Sequence, residues 1–135
     1  MNQFKKLLDR LKKDKQLAVP KDCIKTLLKH FPDATNIEWS KNRQNYEVAF
    51  YSADMEKIAN ISSEGVLIDF RIRILAEEIP LPIKTLIYDR GEVMSSILIN
   101  LGEVESYEII YRDKSLNRYM IELSQDGTIL KEIKL

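Results

Sequence analysis

Cys23 and His30 are the residues of this chain whose types could support nucleophilic chemistry, a thiol with an imidazole base. They lie seven residues apart in a segment with helical periodicity. That spacing puts them on one helix face but ~10 Å apart along its axis. A nucleophile and its base must approach to about 3 Å, so the pair reads as structural. Cys23 fits a small core residue near a helix start. His30 fits a helix C-terminus, where its protonated form is favourable.

Metal chemistry fails on ligand supply. One His and one Cys cannot build a tetrahedral nitrogen and sulfur zinc site within the chain. Glu64-Gly65 and Asp126-Gly127 lie in turns without the alternating oxygen ligands of a calcium loop. Glu77-Glu78 could in principle perform paired-carboxylate acid–base work, but it precedes Pro80 and reads as a solvated pair. The four glycines are dispersed, so no phosphate-cradling loop exists. The expectation is no catalytic residue, no metal ligand and no cofactor. An enzyme built on a carboxylate pair without a motif is the alternative.

The remaining candidates are aromatic. Trp39, Tyr46, Phe50, Tyr51, Tyr107 and Tyr111 fall on strand-like segments. Alternation puts Tyr46, Val48 and Phe50 on one face and Tyr51 on the other; Tyr107, Ile109 and Tyr111 share a face. Two readings stay open. These rings pack a core, or they form an exposed sheet face that docks a protein or peptide partner.

The elements that position these residues occur twice. IKTLL (Ile24–Leu28) matches IKTLI (Ile83–Ile87) at an offset of 59. NYEVAF (Asn45–Phe50) matches SYEIIY (Ser106–Tyr111) at 61, and SSEGVLI (Ser62–Ile68) matches SQDGTIL (Ser124–Leu130) at 62. Three matches in one order, with slowly growing offsets, suggest a duplication. In the first copy Asp22 reads as a helix N-cap. Cys23, Ile24, Leu27, Leu28 and Phe31 form the apolar stripe, and Phe31-Pro32 ends the helix. Strands follow over about Asn36–Ser40, Tyr46–Tyr51, Lys57–Ser62 and Val66–Ile74. In the last, Val66, Ile68, Phe70, Ile72 and Ile74 alternate with Asp69, Arg71 and Arg73, which predicts one buried face. The second copy opens at Ile79-Pro80-Leu81-Pro82. Its helix is lined by Ile83, Leu86 and Ile87 and ends near Gly91. Its strands run near Met94–Leu101, Glu105–Arg112, Leu116–Ser124 and Thr128–Leu135. Gly65 and Gly127 sit where tight hairpins need positive φ.

The fold class expected is α+β: two tandem units, each a helix packed on a four-stranded antiparallel sheet, after an N-terminal amphipathic helix. The parts are residues 1–18, then 19–78 and 79–135, with the two units forming one cooperative domain. In the N-terminal segment Phe4, Leu7, Leu8 and Leu11 have helical spacing, and six bases stand against two acids. The other residues hold fifteen bases and nineteen acids. A mildly acidic body is a poor match for nucleic acid. The basic helix could dock on the body, on a second copy to give a homodimer, or weakly on an anionic membrane surface. With no apolar signal core before Pro20, the chain as written reads as cytoplasmic, and as periplasmic or secreted if its start was trimmed.

The run VPKDCIKTLLKHFPDATNIEW, then NYEVAF, SSEG and IPLPIKTLI, resembles the PepSY-like family, described as similar to the β-lactamase inhibitor protein. Phe31-Pro32-Asp33-Ala34 and Trp39 carry the resemblance, which covers about residues 18–135. It implies a bacterial tandem repeat of helix-plus-sheet units with no catalytic activity and no functional residue to carry over. Members usually have a secretion signal and work outside the cytoplasm. The second copy departs from the pattern, with Tyr88-Asp89-Arg90-Gly91 and no tryptophan. The reading of function is a non-enzymatic interaction module, protein-binding or inhibitory.

Overall fold

The structure, a computed structural model, describes residues 17–135; the amphipathic helix expected over residues 2–16 lies outside them. The described chain runs α1 (Lys21–His30), β1 (Thr35–Asn42), β2 (Asn45–Ser52), β3 (Met55–Ser62) and β4 (Leu67–Arg73). A 3-10 turn (Ala76–Glu78) leads to α2 (Leu81–Tyr88), β5 (Glu92–Leu101), β6 (Val104–Arg112), β7 (Arg118–Ser124) and β8 (Ile129–Lys134). Contacts divide the chain into two compact units between Ile72 and Arg73.

This corrects the expected fold class. The chain is mostly β, with two helices of 10 and 8 residues. Its strands follow in sequence order, β1 to β8, in a single eight-stranded antiparallel sheet, not as two helix-capped four-stranded sheets in tandem. The physical reason lies in the edges. Every separate sheet ends in two strands with unpaired N–H and C=O groups, and one long sheet has half as many such edges as two short ones.

In the first unit α1 starts at a proline. Pro20 O accepts from the N–H groups of Cys23 (3.1 Å) and Ile24 (3.3 Å). Pro20, not Asp22, is therefore the N-cap, and Asp22 sits in the first turn. Cys23 and Leu27 are fully buried against Tyr46, Val48 and Phe50 of β2 and Ala59 and Ile61 of β3, with Phe31 closing the end of the cluster. A buried aliphatic side chain of this kind contributes about 1.5–3 kcal/mol. The second unit uses Ile83 and Ile87 of α2 against Tyr107, Ile109 and Tyr111 of β6 and Ile121 and Leu123 of β7. Its helix also starts at a proline, with Ile83 and Lys84 donating to Pro80 O at 3.0 Å each.

The strands fall within a few residues of their expected positions, but β4 departs from simple alternation. Ile61 pairs with Leu67 and Asn60 with Asp69, so Ile68 is an extra residue. That bulge turns Leu67 and Phe70 to the core and leaves Val66 and Ile68 exposed. β8, whose Ile129, Leu130 and Ile133 share no face, is exposed throughout.

Candidate functional site

The structure separates Cys23 from His30. Cys23 has no solvent exposure and donates from Sγ to Ser62 O at 3.3 Å. Burial, then the neighbouring Asp22 charge, pushes its thiol up, away from the thiolate form that reacts. His30 is exposed, with Nδ1 3.0 Å from Thr26 O. The acids Glu77 and Glu78 serve the 3-10 turn. Glu78 accepts from Leu75 N at 3.2 Å, and Glu77 O accepts from Lys84 Nζ at 2.9 Å. Among the described residues no three His, Cys, Asp or Glu side chains group to hold a metal.

The six aromatic candidates do not share one surface. Tyr46, Phe50, Tyr107 and Tyr111 belong to the two buried clusters, and Trp39 packs half-buried against the first. Of the six, Tyr51 points to the face opposite α1 and is 40% exposed. There it lines a hollow of about 340 Å³ with Ile37, Glu38, Ala49, Glu56 and Ile58. Its hydroxyl donates to Glu56 Oε1 at 3.0 Å, which, with the Glu56 charge, raises the phenol pKa. The rim is reached because β1 bulges between Thr35 and Glu38. Asn36 there adopts φ +51°, a left-handed conformation that asparagine tolerates better than most residues.

Sequence reasoning passed over two buried acids on the same kind of face. Glu47 of β2 and Glu108 of β6 are 6% and 5% exposed, and Asn42 Nδ2 donates to Glu47 Oε1. The signal was available: both follow the tyrosine of the matched NYEVAF and SYEIIY segments, one step off the core face.

A second hollow, of about 440 Å³, lies in the other unit and is lined by Arg90, Tyr111, Asp113, Tyr119, Glu132 and Lys134. The Tyr111 and Tyr119 rings stack at 5.2 Å between centroids and 15° between planes. Tyr111 Oη donates to Glu132 Oε2, which also lies 3.5 Å from Arg90 Nε. Burial, then the Glu132 hydrogen bond and charge, pushes the Tyr111 phenol up to about 12. The hydroxyl therefore keeps its proton at neutral pH. Asp113 accepts from the N–H groups of Ser115 (2.9 Å) and Asn117 (3.0 Å). Burial pushes its carboxyl up, but these hydrogen bonds outweigh that and hold it below its usual range.

No known family model and no curated protein matches the sequence. Solved structures do match the fold. A DUF2874 family protein from Bacteroides uniformis aligns with TM-score 0.80 and 16% identity, covering 87% of this chain and 90% of that one. A protein from Bacteroides eggerthii, provisionally described as periplasmic, aligns with the same score, identity and coverage. A BLIP-like protein from Bacteroides fragilis aligns with TM-score 0.78 and 15% identity, covering 92% of both chains. Identity this low establishes architecture alone and does not extend to the PepSY-like assignment, so the chain is a BLIP-like fold.

Proposed function

We propose that this chain is a non-enzymatic module that binds another protein, using the face of its first unit opposite α1, around Tyr51. The observation that carries the reading is Tyr51 itself, an exposed ring beside a hollow floored by Ala49 and Ile58 and edged by Ile37, Glu38 and Glu56. Tyrosine, with tryptophan and arginine, is enriched among the hot spots of protein interfaces. The structural similarity to a BLIP-like protein supports the same class of function, and inhibition of an enzyme is its narrower form. The periplasmic description of one neighbour fits the exported alternative rather than the cytoplasmic reading of the sequence.

The test is affinity capture from the source cells on immobilised full-length chain. Wild type captures a defined protein. Tyr51→Ala and Ile37→Asp, with unchanged melting temperatures, capture it at least about tenfold more weakly, as loss of a hot spot requires. Tyr88→Ala, which alters an exposed ring on α2, leaves capture intact. Equal capture by wild type and Tyr51→Ala overturns the assignment of the face.

A further inference from the structure

The two units treat one internal position in opposite ways. In the first, the residue after α1 is Phe31, whose N–H donates to Leu27 O at 2.8 Å. Its ring packs on Phe50 at 4.8 Å and on Phe70 at 5.3 Å, with the Lys57 ammonium 5.3 Å from the ring centroid. In the second unit the residue making the corresponding bond, N–H to Ile87 O at 3.1 Å, is Gly91. Cross-strand pairing completes the correspondence. Phe50 faces Lys57 and Ala59 faces Phe70; Tyr111 faces Tyr119 and Ile121 faces Glu132. Where the first unit packs Phe31 on Phe50 and Phe70, the second stacks Tyr119 on Tyr111 and has a glycine, a carboxylate and a hollow of about 440 Å³ in place of the other two rings. Position 91 cannot supply the missing ring, because a Cβ there would lie 2.2 Å from Arg112 O.

We infer that this hollow is a binding site for a flat aromatic ring carrying a carboxylate. Its volume lies in the range of small-molecule sites, roughly 300–1,000 Å³. Tyr119, half-buried and stacked on the buried Tyr111, is the ring on which a further ring can pack in offset or edge-on geometry. The lining balances Arg90 and Lys134 against Asp113 and Glu132, and the pairing within it singles out Lys134. Glu132 is engaged by the Tyr111 hydroxyl and Arg90, and Asp113 by two backbone N–H groups. Lys134 has no ion pair among the described residues and leaves its positive charge at the rim for an incoming anion. Two sources carry this chemistry: a free aromatic acid, and the C-terminal phenylalanine or tyrosine of a polypeptide. The site belongs to the second unit and does not depend on the reading at Tyr51.

The test is an NMR titration of the full chain, 15N-labelled, with 3-phenylpropionate and with N-acetylphenylalanine as the mimic of a chain end. The expected result is saturable millimolar binding that shifts the amides of Tyr119, Ile133 and Lys134. Cyclohexanepropionate and 3-phenylpropionamide bind at least about tenfold more weakly. Lys134→Gln removes the preference for the acid over the amide. Glu132→Phe, which places a ring where Phe70 sits in the first unit, fills the hollow and abolishes the shifts. A tenfold preference for N-acetylphenylalanine assigns the site to a chain end, and the reverse preference to a free acid. The inference is overturned if neither acid shifts these amides, if the cyclohexyl compound binds equally well, or if Glu132→Phe with a native spectrum binds as wild type does. Should Glu132→Phe not fold, an unchanged acid preference in Lys134→Gln overturns the charge selection on its own.

Discussion

Gly65 and Gly127 close the same hairpin in the two units, at φ +86° and +90°. In each, the serine three positions earlier accepts the glycine N–H, at 2.9 and 3.0 Å. They differ in what stands opposite. A Cβ at Gly65 would lie 2.9 Å from Asp22 Cβ, whereas one at Gly127 would lie 3.4 Å from Pro82 Cβ. Both alanine variants incur about 1–2 kcal/mol of left-handed strain. Gly65→Ala carries a steric cost in addition, so its urea midpoint should fall further than that of Gly127→Ala. Equal shifts would remove the hairpin–helix contact from the account. Tyr111 gives a pH-dependent counterpart. Its folded pKa of about 12 stands above the ordinary value of 10. The stability it contributes is therefore complete below pH 10 and is lost as pH rises toward 12, because the unfolded chain releases that proton first. Melting temperature should fall more steeply over that window for wild type than for Tyr111→Phe. Cys23, with its thiol in the core, should label slowly with a neutral-pH thiol reagent until the chain unfolds. Residue identity was readable at the hairpins and misleading on the helices. The matched pentapeptides pair Ile24 with Ile83, yet the buried positions are Cys23 and Leu27 in one helix and Ile83 and Ile87 in the other. The matched segments, alike in four letters of five, are rotated by one residue, about 100° of helix, so Ile24 and Leu28 face outward. Likeness of letters could not reveal this, because register is set by the proline that starts each helix.

At the scale of elements, the strands were legible because period-two alternation and the two hairpin glycines leave few alternatives. The bulges in β1 and β4 were not. An inserted residue changes which face a side chain takes without changing composition, and Leu67-Ile68 reads equally well in either register. The site suffered for it, since the Tyr51 hollow is rimmed by bulged residues, and the second hollow depends on which strand positions face α2. Among the described residues, the clusters of both units draw on elements from α1 onward, with Leu17 and Val19 packed at the edge of the first. A chain shortened to Leu17–Leu135 should therefore keep a cooperative unfolding transition by circular dichroism. Loss of that transition would make residues 1–16 part of the folded core. If the shortened chain folds, co-sedimentation with anionic vesicles and light scattering on both lengths would separate membrane binding from self-association for the basic segment.

The strand order has two ends. β8 closes the strand order and is exposed along its length, including Ile129, Leu130 and Ile133. Lys131 and Lys134 are the charges that discourage another strand from pairing there. Lys131→Val with Lys134→Val should give concentration-dependent assembly by light scattering, while wild type keeps a constant size. The hairpin glycine beside the first turn of the helix joins parts of the unit that lie far apart in sequence. Every strand connection within a unit is a local hairpin. The helix instead reaches β3 and its turn across 39 residues, as in the bonds from Cys23 to Ser62 and from Thr26 to Gly65. Folding rates fall as contacts become more distant in sequence. The hairpins should assemble first, and docking of the helix should follow the rate-limiting barrier. Truncation of Leu27 would then accelerate unfolding and leave the refolding rate nearly untouched, so the kinetic lifetime of this fold resides in the docking of its helices.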